Sequence, residues 1–227
     1  MRLKISLKSE KSLFIPFNYN HIISSIIYNK IGDLELASEL HSSKTFKFFT
    51  FSSLNIPRRR VVNDGIISKN GSVNFQISSP NEHLIKSLVE GHLDDLTVNF
   101  KNEELFVEKI ELLAEPEFKK HINVRTISPI IVRTKREIDG KLKVWDLTPA
   151  DQQFYNSLRM NLIKKYNHFH EIEETDHEID ISSNMRYVKR KRIAIEKDNV
   201  KTFHRAFIMD LELMGDLNLI KFAYDVG

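Results

Sequence analysis

The chain has 227 residues, 41% hydrophobic and 29% charged, with a formal net charge of +3. That length fits one large domain or two of about 110 residues, and either buries a sizeable core. It has no cysteine, which excludes disulfide frameworks, thiolate zinc sites, iron–sulfur clusters and cysteine nucleophiles and fits a reducing compartment.

The first seven residues alternate, Leu3, Ile5 and Leu7 against Arg2, Lys4 and Ser6, which predicts an opening strand. In the segment HIISSIIYNKI the residues Ile22, Ile23, Ile26, Ile27 and Ile31 recur at helical spacing, with Asn18 or Asn20 as cap and Tyr28 at the edge of the apolar stripe. A short helix over 33–41 follows Gly32 and ends near His41. Three β-rich stretches come next, 45–54, 58–67 and 72–78. Asn70-Gly71 predicts a tight hairpin between the last two, and Asp64-Gly65 splits or bulges the middle one. Ser79-Pro80-Asn81-Glu82 opens a helix that runs to Glu90-Gly91 on Leu84, Ile85, Leu88 and Val89. Strands over 94–101 and 104–113 close this half, and Glu115-Pro116-Glu117 reads as a linker.

The second half begins with a strand over 121–135 and a turn at Asp139-Gly140. A long helix over 149–169 follows, with Phe154, Leu158, Leu162, Ile163 and Tyr166 on its apolar face. Strands over 184–196 and 200–213 lead to a last helix after Gly215-Asp216 that buries Leu217, Leu219, Ile220 and Ala223. The fold class expected is α+β, built from two tandem ferredoxin-like (RRM-like) βαββαβ domains, 1–117 and 118–227, the second lacking its last strand. No apolar run approaches the roughly 18 residues of a membrane helix, and MRLKISLKSEK lacks the apolar core of a signal peptide. A cytoplasmic protein with no membrane partner is expected.

Charge is unevenly spread. Residues 1–60 hold ten Lys/Arg against four Asp/Glu, and 186–205 hold eight against two, whereas 171–180 carry six acids and no base. Two basic regions around an acidic stretch suit a polyanion, with a solvated surface as the alternative. The densest signal is MRYVKRKRIAIE. Strand alternation places Arg186, Val188, Arg190 and Arg192 on one face and Tyr187, Lys189 and Lys191 on the other. Such a ribbon fits RNA phosphates, or else is an edge strand kept charged against aggregation. Arg58, Arg59 and Arg60 form a second basic site. Most of the fifteen phenylalanines are expected in the core. His168 and His170, with Glu171 and His177 near, read as a solvated acidic loop rather than a metal site.

Five segments, taken in order, resemble the CRISPR-associated endoribonucleases that cut repeat RNA, members of the RAMP superfamily. They are the opening strand with SSIIYNKI, LHSSKTFKFFTFSSL, SSPNEHLIKSLVEGHL, TISPIIVRT and GDLNLIKFAYDVG. In that family the last helix is followed by a glycine-rich loop and a final strand. With the chain ending at Gly227, a sequence truncated before that loop is expected, which would also account for the missing strand.

The resemblance implies CRISPR repeat RNA as partner, cleavage that needs no metal or cofactor, and a histidine at the LH segment, here His41, as general acid or base. Without the resemblance His41 reads as a surface histidine after a helix C-terminus. Lys47, placed on a strand face with Phe49 and Phe51, either serves a phosphate or snorkels to the sheet rim. Tyr28 either orients a reacting oxygen through its hydroxyl or is a core-margin residue. Two rival functions share this fold. One is a non-catalytic RNA-binding subunit of a CRISPR interference complex, and the other is a dimeric regulator that binds small anions. A homodimer sharing one RNA is compatible with the first two readings.

Overall fold

The computed structural model describes residues 1–42, 46–173, 177–197 and 200–227, which divide into two compact units. The first comprises Met1–Pro116 with Asp225–Gly227, and the second Glu117–Tyr224.

The first unit runs β1 (Arg2–Lys8), β2 (Leu13–Pro16), α1 (Asn20–Asn29), α2 (Leu34–Ser42), β3 (Thr50–Phe51) and β4 (Arg59–Val62). It continues with β5 (Gly65–Ser68), β6 (Ser72–Ser78), α3 (Glu82–Asp94), β7 (Thr97–Phe100) and β8 (Glu103–Leu113). Its main sheet has the order β3-β6-β1-β8-β7 and is antiparallel throughout. This is the ferredoxin-like arrangement, with the first strand between the third and the fourth. The alternation in β1 puts Leu3 opposite Ile77, Ile5 opposite Phe75 and Leu7 opposite Val73. All six are buried, together with Ile22, Ile23, Ile26 and Ile27 of α1 and Leu84, Ile85 and Leu88 of α3. One sheet face under two amphipathic helices therefore forms the core.

Local details differ from the sequence expectation in ways that have physical causes. Helix α1 starts after Tyr19 with no side-chain cap, because Asn20 is already helical and the Tyr19 hydroxyl instead accepts the Leu54 N–H at 3.1 Å. Asn81 caps α3 by accepting the Leu84 N–H at 3.2 Å. Gly91 does not end that helix, which continues to Asp94. The glycine serves close approach: a Cβ there would collide with the Lys30 carbonyl oxygen at the end of α1.

Asn70-Gly71 makes a turn, with Gly71 at φ +71, but no hairpin. β5 pairs with β2 and β4 in a separate three-stranded sheet, while β6 joins the main sheet. The turn moves the chain from one sheet to the other. Asp64-Gly65 is the true hairpin signal, splitting the middle stretch into β4 and β5. Of the expected strand over 45–54, Thr45 lies outside the described residues, and only Thr50–Phe51 pairs regularly.

The second unit runs β9 (His121–Arg125), β10 (Arg133–Ile138), β11 (Lys141–Asp146), α4 (Gln152–His170) and β12 (Ile179–Ser182). It ends with β13 (Val188–Lys197), β14 (Val200–Gly215) and α5 (Leu217–Val226). The long β14 pairs with β9, β12 and β13, all antiparallel. These fill three strand positions of a second ferredoxin-like unit. Among the described residues none fills the fourth, beside β9, as expected. The expected single strand 121–135 is instead β9, a bent segment, and β10, which pairs with β11 across Asp139-Gly140 as a hairpin apart from the main sheet. Tyr166 and Phe169 of α4 pack on Phe222 of α5, at ring separations of 5.3 and 5.6 Å. Leu217, expected inside, is 41% exposed on the first turn of α5. The chain is thus an α+β protein of two ferredoxin-like units, and no helix among the described residues is long and apolar enough to cross a membrane.

Candidate nucleic-acid site

Two of the three residues expected to act in catalysis meet directly. Tyr28 stands in the last turn of α1 and Lys47 in the extended segment that leads into β3. The Lys47 ammonium donates to the Tyr28 hydroxyl at 2.6 Å and lies 5.0 Å from the ring centroid, so it engages the hydroxyl rather than the ring face. Phe49 packs edge-on against the Tyr28 ring at 5.9 Å.

Both sides of this pair are fixed from beneath. Ser79 donates to the Phe48 carbonyl at 2.5 Å and accepts the Asn81 N–H at 3.0 Å, tying the Lys47 segment to the start of α3. Midway along α3, Ser87 accepts the Asp33 N–H at 2.9 Å, and one turn on Gly91 lets the helix lie against the Lys30 carbonyl. Lys30 itself is 7% exposed, and its ammonium donates to the Asp95 carboxylate and carbonyl at 2.7 and 2.6 Å. The Lys30 hydrogen bond holds the Asp95 carboxyl well below the usual carboxylate range, helped by Thr97.

Lys47 is exposed and Tyr28 half-buried, so the ammonium and the hydroxyl share a solvent-facing position. The pair joins a hydroxyl to a cation that can meet a phosphoryl oxygen. His41 belongs by its backbone to the last turn of α2, and its side chain lies outside the described part of the structure. Lys47 is not on a regular strand, because pairing with β6 begins only at Thr50.

The basic residues separate into two groups. Arg58, Arg59 and Arg60 are all exposed, at the turn into β4 and on it, so they belong to the small sheet rather than to the sheet edge beside Lys47. In the second unit, Arg186 precedes β13, and Lys189, Arg190, Lys191 and Arg192 lie along it. The register pairs Arg190 with Phe207 and Arg192 with Arg205, which puts these four on one face. Lys189 and Lys191 take the other face, opposite Ile208 and Ala206. Arg186, Lys189, Arg190 and Arg192 are exposed and Lys191 is half-buried.

The sequence reading passed over several neighbours of this ribbon. The Arg192 guanidinium lies 3.8 Å from the Phe203 ring centroid, and Arg136 and Arg205 lie 5.2 and 5.1 Å from that of Trp145. Arg125 forks onto Asp210 at 2.6 and 2.9 Å and stacks over Tyr187 at 4.1 Å. Its hydrogen bonds hold the Asp210 carboxyl below its ordinary range. Trp145 is the chain's one tryptophan, and the signal that could have flagged it is alternation in 133–146 on both sides of Asp139-Gly140.

Two other expectations are corrected. Five of the fifteen phenylalanines are buried, Phe75, Phe100, Phe154, Phe207 and Phe222, while Phe14, Phe17, Phe106 and Phe203 are exposed. Hydrophobic content therefore does not place this residue type. Of the histidine cluster, His168, His170 and Glu171 are exposed as a solvated segment requires, whereas His177 is 7% exposed, its Nε2 2.6 Å from the Asn167 side-chain oxygen.

Residues 14–111 match the family described as CRISPR-associated protein Cas6, N-terminal, and residues 113–227 match CRISPR associated protein Cas6, C-terminal. The chain is similar to CRISPR-associated endoribonuclease Cas6 1 of Methanocaldococcus jannaschii, with 37% identity covering 100% of this chain and 87% of the relative. Among solved structures it is similar to a CRISPR associated protein Cas6, at TM-score 0.80 and 37% identity over 100% of this chain and 92% of the other. A RAMP protein solved as one binding different RNA substrates gives TM-score 0.82 at 27% identity, over 100% and 93%. With both halves matched in order, full-length identity to a relative and the same tandem fold, the chain belongs to the Cas6 family of CRISPR-associated proteins.

Proposed function

We propose that the chain is an endoribonuclease that binds CRISPR repeat RNA and cuts it without a metal ion. The observation that carries this reading is the Lys47–Tyr28 contact at 2.6 Å, in a chain 37% identical along its whole length to a CRISPR-associated endoribonuclease.

The chemistry needs one proton taken, one given and negative charge stabilised. The ribose 2′-oxygen attacks the adjacent phosphorus and loses its proton, while the bond from phosphorus to the 5′-oxygen breaks and that oxygen gains a proton. His41 supplies acid or base, since imidazole titrates near neutrality. Lys47 stabilises charge on the phosphoryl oxygens, and Tyr28 holds the ammonium in place and orients a reacting oxygen. Arg58, Arg59 and Arg60 and the ribbon from Arg186 to Arg192 bind the phosphate backbone.

End-group analysis of the products tests the reading. A 2′,3′-cyclic phosphate or 3′-phosphate upstream with a 5′-hydroxyl downstream is expected. A 3′-hydroxyl upstream with a 5′-phosphate downstream would overturn it, because 2′-hydroxyl attack cannot give those ends.

A further inference from the structure

We propose that one face of the second unit is a stacking platform for unpaired nucleotides of RNA, built by Trp145 with Arg136 and Arg205 and by Phe203 with Arg192. The proposal rests on the reading of this chain as an RNA-binding protein and adds which form of RNA this face accepts.

Strand register assembles the face. In the β10–β11 hairpin Trp145 stands opposite Thr134, and Arg136 opposite Lys143, so alternation puts Arg136, Lys143 and Trp145 on one side. In the β13–β14 ribbon Arg192 stands opposite Arg205 and Ala194 opposite Phe203, again on a shared side. The Arg205 guanidinium, 5.1 Å from the Trp145 centroid, joins the two ribbons.

Burial does not account for these rings. Phe203 is 49% exposed and Trp145 half-buried, and each has guanidinium as a ring neighbour. A guanidinium laid against a ring loses little further rotamer freedom on binding and keeps its N–H edge available for a phosphate fork. The acids nearby offset part of the charge, but the three arginines Arg136, Arg192 and Arg205 outnumber Asp146 and Asp151. Asp151 lies 3.7 Å from Arg136, and Thr148 claims its other oxygen at 2.9 Å. Asp146 accepts the backbone N–H of Arg205 at 2.8 Å and lies 3.4 Å from His204 Nδ1, while the Arg205 guanidinium lies 5.1 Å from the Trp145 ring centroid.

Aromatic planes beside phosphate forks select single strands. In an RNA duplex the base faces are hidden by stacking, and the protein meets only backbone and minor groove. An unpaired base can lie on Trp145 or Phe203 while its phosphate takes an arginine edge, which binds without reading sequence.

The single tryptophan makes the test direct. The whole chain is titrated with a labelled single-stranded oligoadenylate, with the matching adenylate–uridylate duplex and with an abasic chain of equal length. Label anisotropy reads total binding, and tryptophan emission reads stacking at Trp145. Oligoadenylate should quench the emission, and the duplex and the abasic chain should bind with little quenching. Trp145→Ala should raise the Kd for oligoadenylate about tenfold and leave duplex affinity within about twofold, with Trp145→Phe keeping most of the affinity. Oligoadenylate binding with unchanged emission, or equal quenching by all three probes, would overturn the platform and leave the RNA reading intact. No anisotropy change with any probe would overturn both.

Discussion

The Lys47 ammonium sits 2.6 Å from the Tyr28 hydroxyl, bringing a residue just before β3 onto the last turn of α1. Nineteen positions separate the two in sequence, and the fold closes that gap through α3. If the pair serves the cut phosphate, its two halves fail differently. Lys47→Ala removes charge stabilisation and should slow cleavage about 100- to 1000-fold with modest loss of RNA affinity. Tyr28→Phe keeps the ring packed on Phe49 and should slow it about 100-fold. Single-turnover rates check both, and wild-type rates in both variants would remove the pair from the chemistry.

Gly91 offers a mechanical check on the same pair. A glycine inside a helix is ordinarily improved by alanine, by about 0.8–1 kcal/mol. Here the added Cβ meets the Lys30 carbonyl backbone, two residues from Tyr28. Gly91→Ala should therefore destabilise the protein by about 1–3 kcal/mol and lower the cleavage rate in conditions where it remains folded. Urea unfolding beside single-turnover kinetics reads both, and a stabilised, fully active variant would contradict this view of α3.

His92 gives the first unit a pH dependence of known sign. It is 1% exposed, its Nδ1 lies 2.7 Å from the Leu88 carbonyl, and its Nε2 is buried with no hydrogen-bond partner among the described residues. Burial pushes the imidazole below its ordinary value of 6.5, with Lys30 adding to the effect against the Leu88 hydrogen bond and Asp95. The neutral ring donates from Nδ1. Below pH 6.5 the unfolded chain takes up a proton that the folded chain resists, so this contribution is full above that value and declines as pH falls. Replacing His92 with Leu should flatten the loss of urea stability between about pH 7 and pH 5. An unchanged slope would show that His92 is not responsible.

The main architecture was legible because it follows from short-range pattern. Leu3, Ile5 and Leu7, the isoleucines of α1 and Leu84, Ile85 and Leu88 are buried as their periodicity requires. What escaped depends on partners distant in sequence. LFIP at 13–16 is too short to announce itself as β2, and IDIS at 179–182 becomes β12 only by pairing with 212–215. Asn70-Gly71 has the chemistry of a hairpin turn, yet which sheet β6 joins is decided by β1. In the same way Tyr28 and Lys47 could be named singly, but their contact could not. Trp145 was overlooked because the arginine that links its hairpin to the ribbon, Arg205, lies sixty residues further on.

The ribbon from Arg186 to Arg192 makes a prediction about salt. Arg190 and Arg192 are exposed and share a face. If they contact phosphates, changing both to Ala should weaken RNA binding and reduce the slope of log K against log salt by about 1–2. Anisotropy titrations at several salt concentrations provide the slope. Reduced affinity with the original slope would mean the arginines act through packing, such as that of Arg192 on Phe203.

The proposed roles all depend on metal-free cleavage through the 2′-hydroxyl with His41 as acid or base. Its most direct test is the protein incubated in EDTA with repeat RNA from its own genome, beside a His41→Ala variant and a substrate carrying a 2′-deoxy sugar at the cut. Site-specific cutting by the wild type alone is predicted, blocked by the deoxy sugar and lost in the variant while its RNA affinity stays near wild type. Cutting of the deoxy substrate, a requirement for added metal, or full activity without His41 would overturn this mechanism.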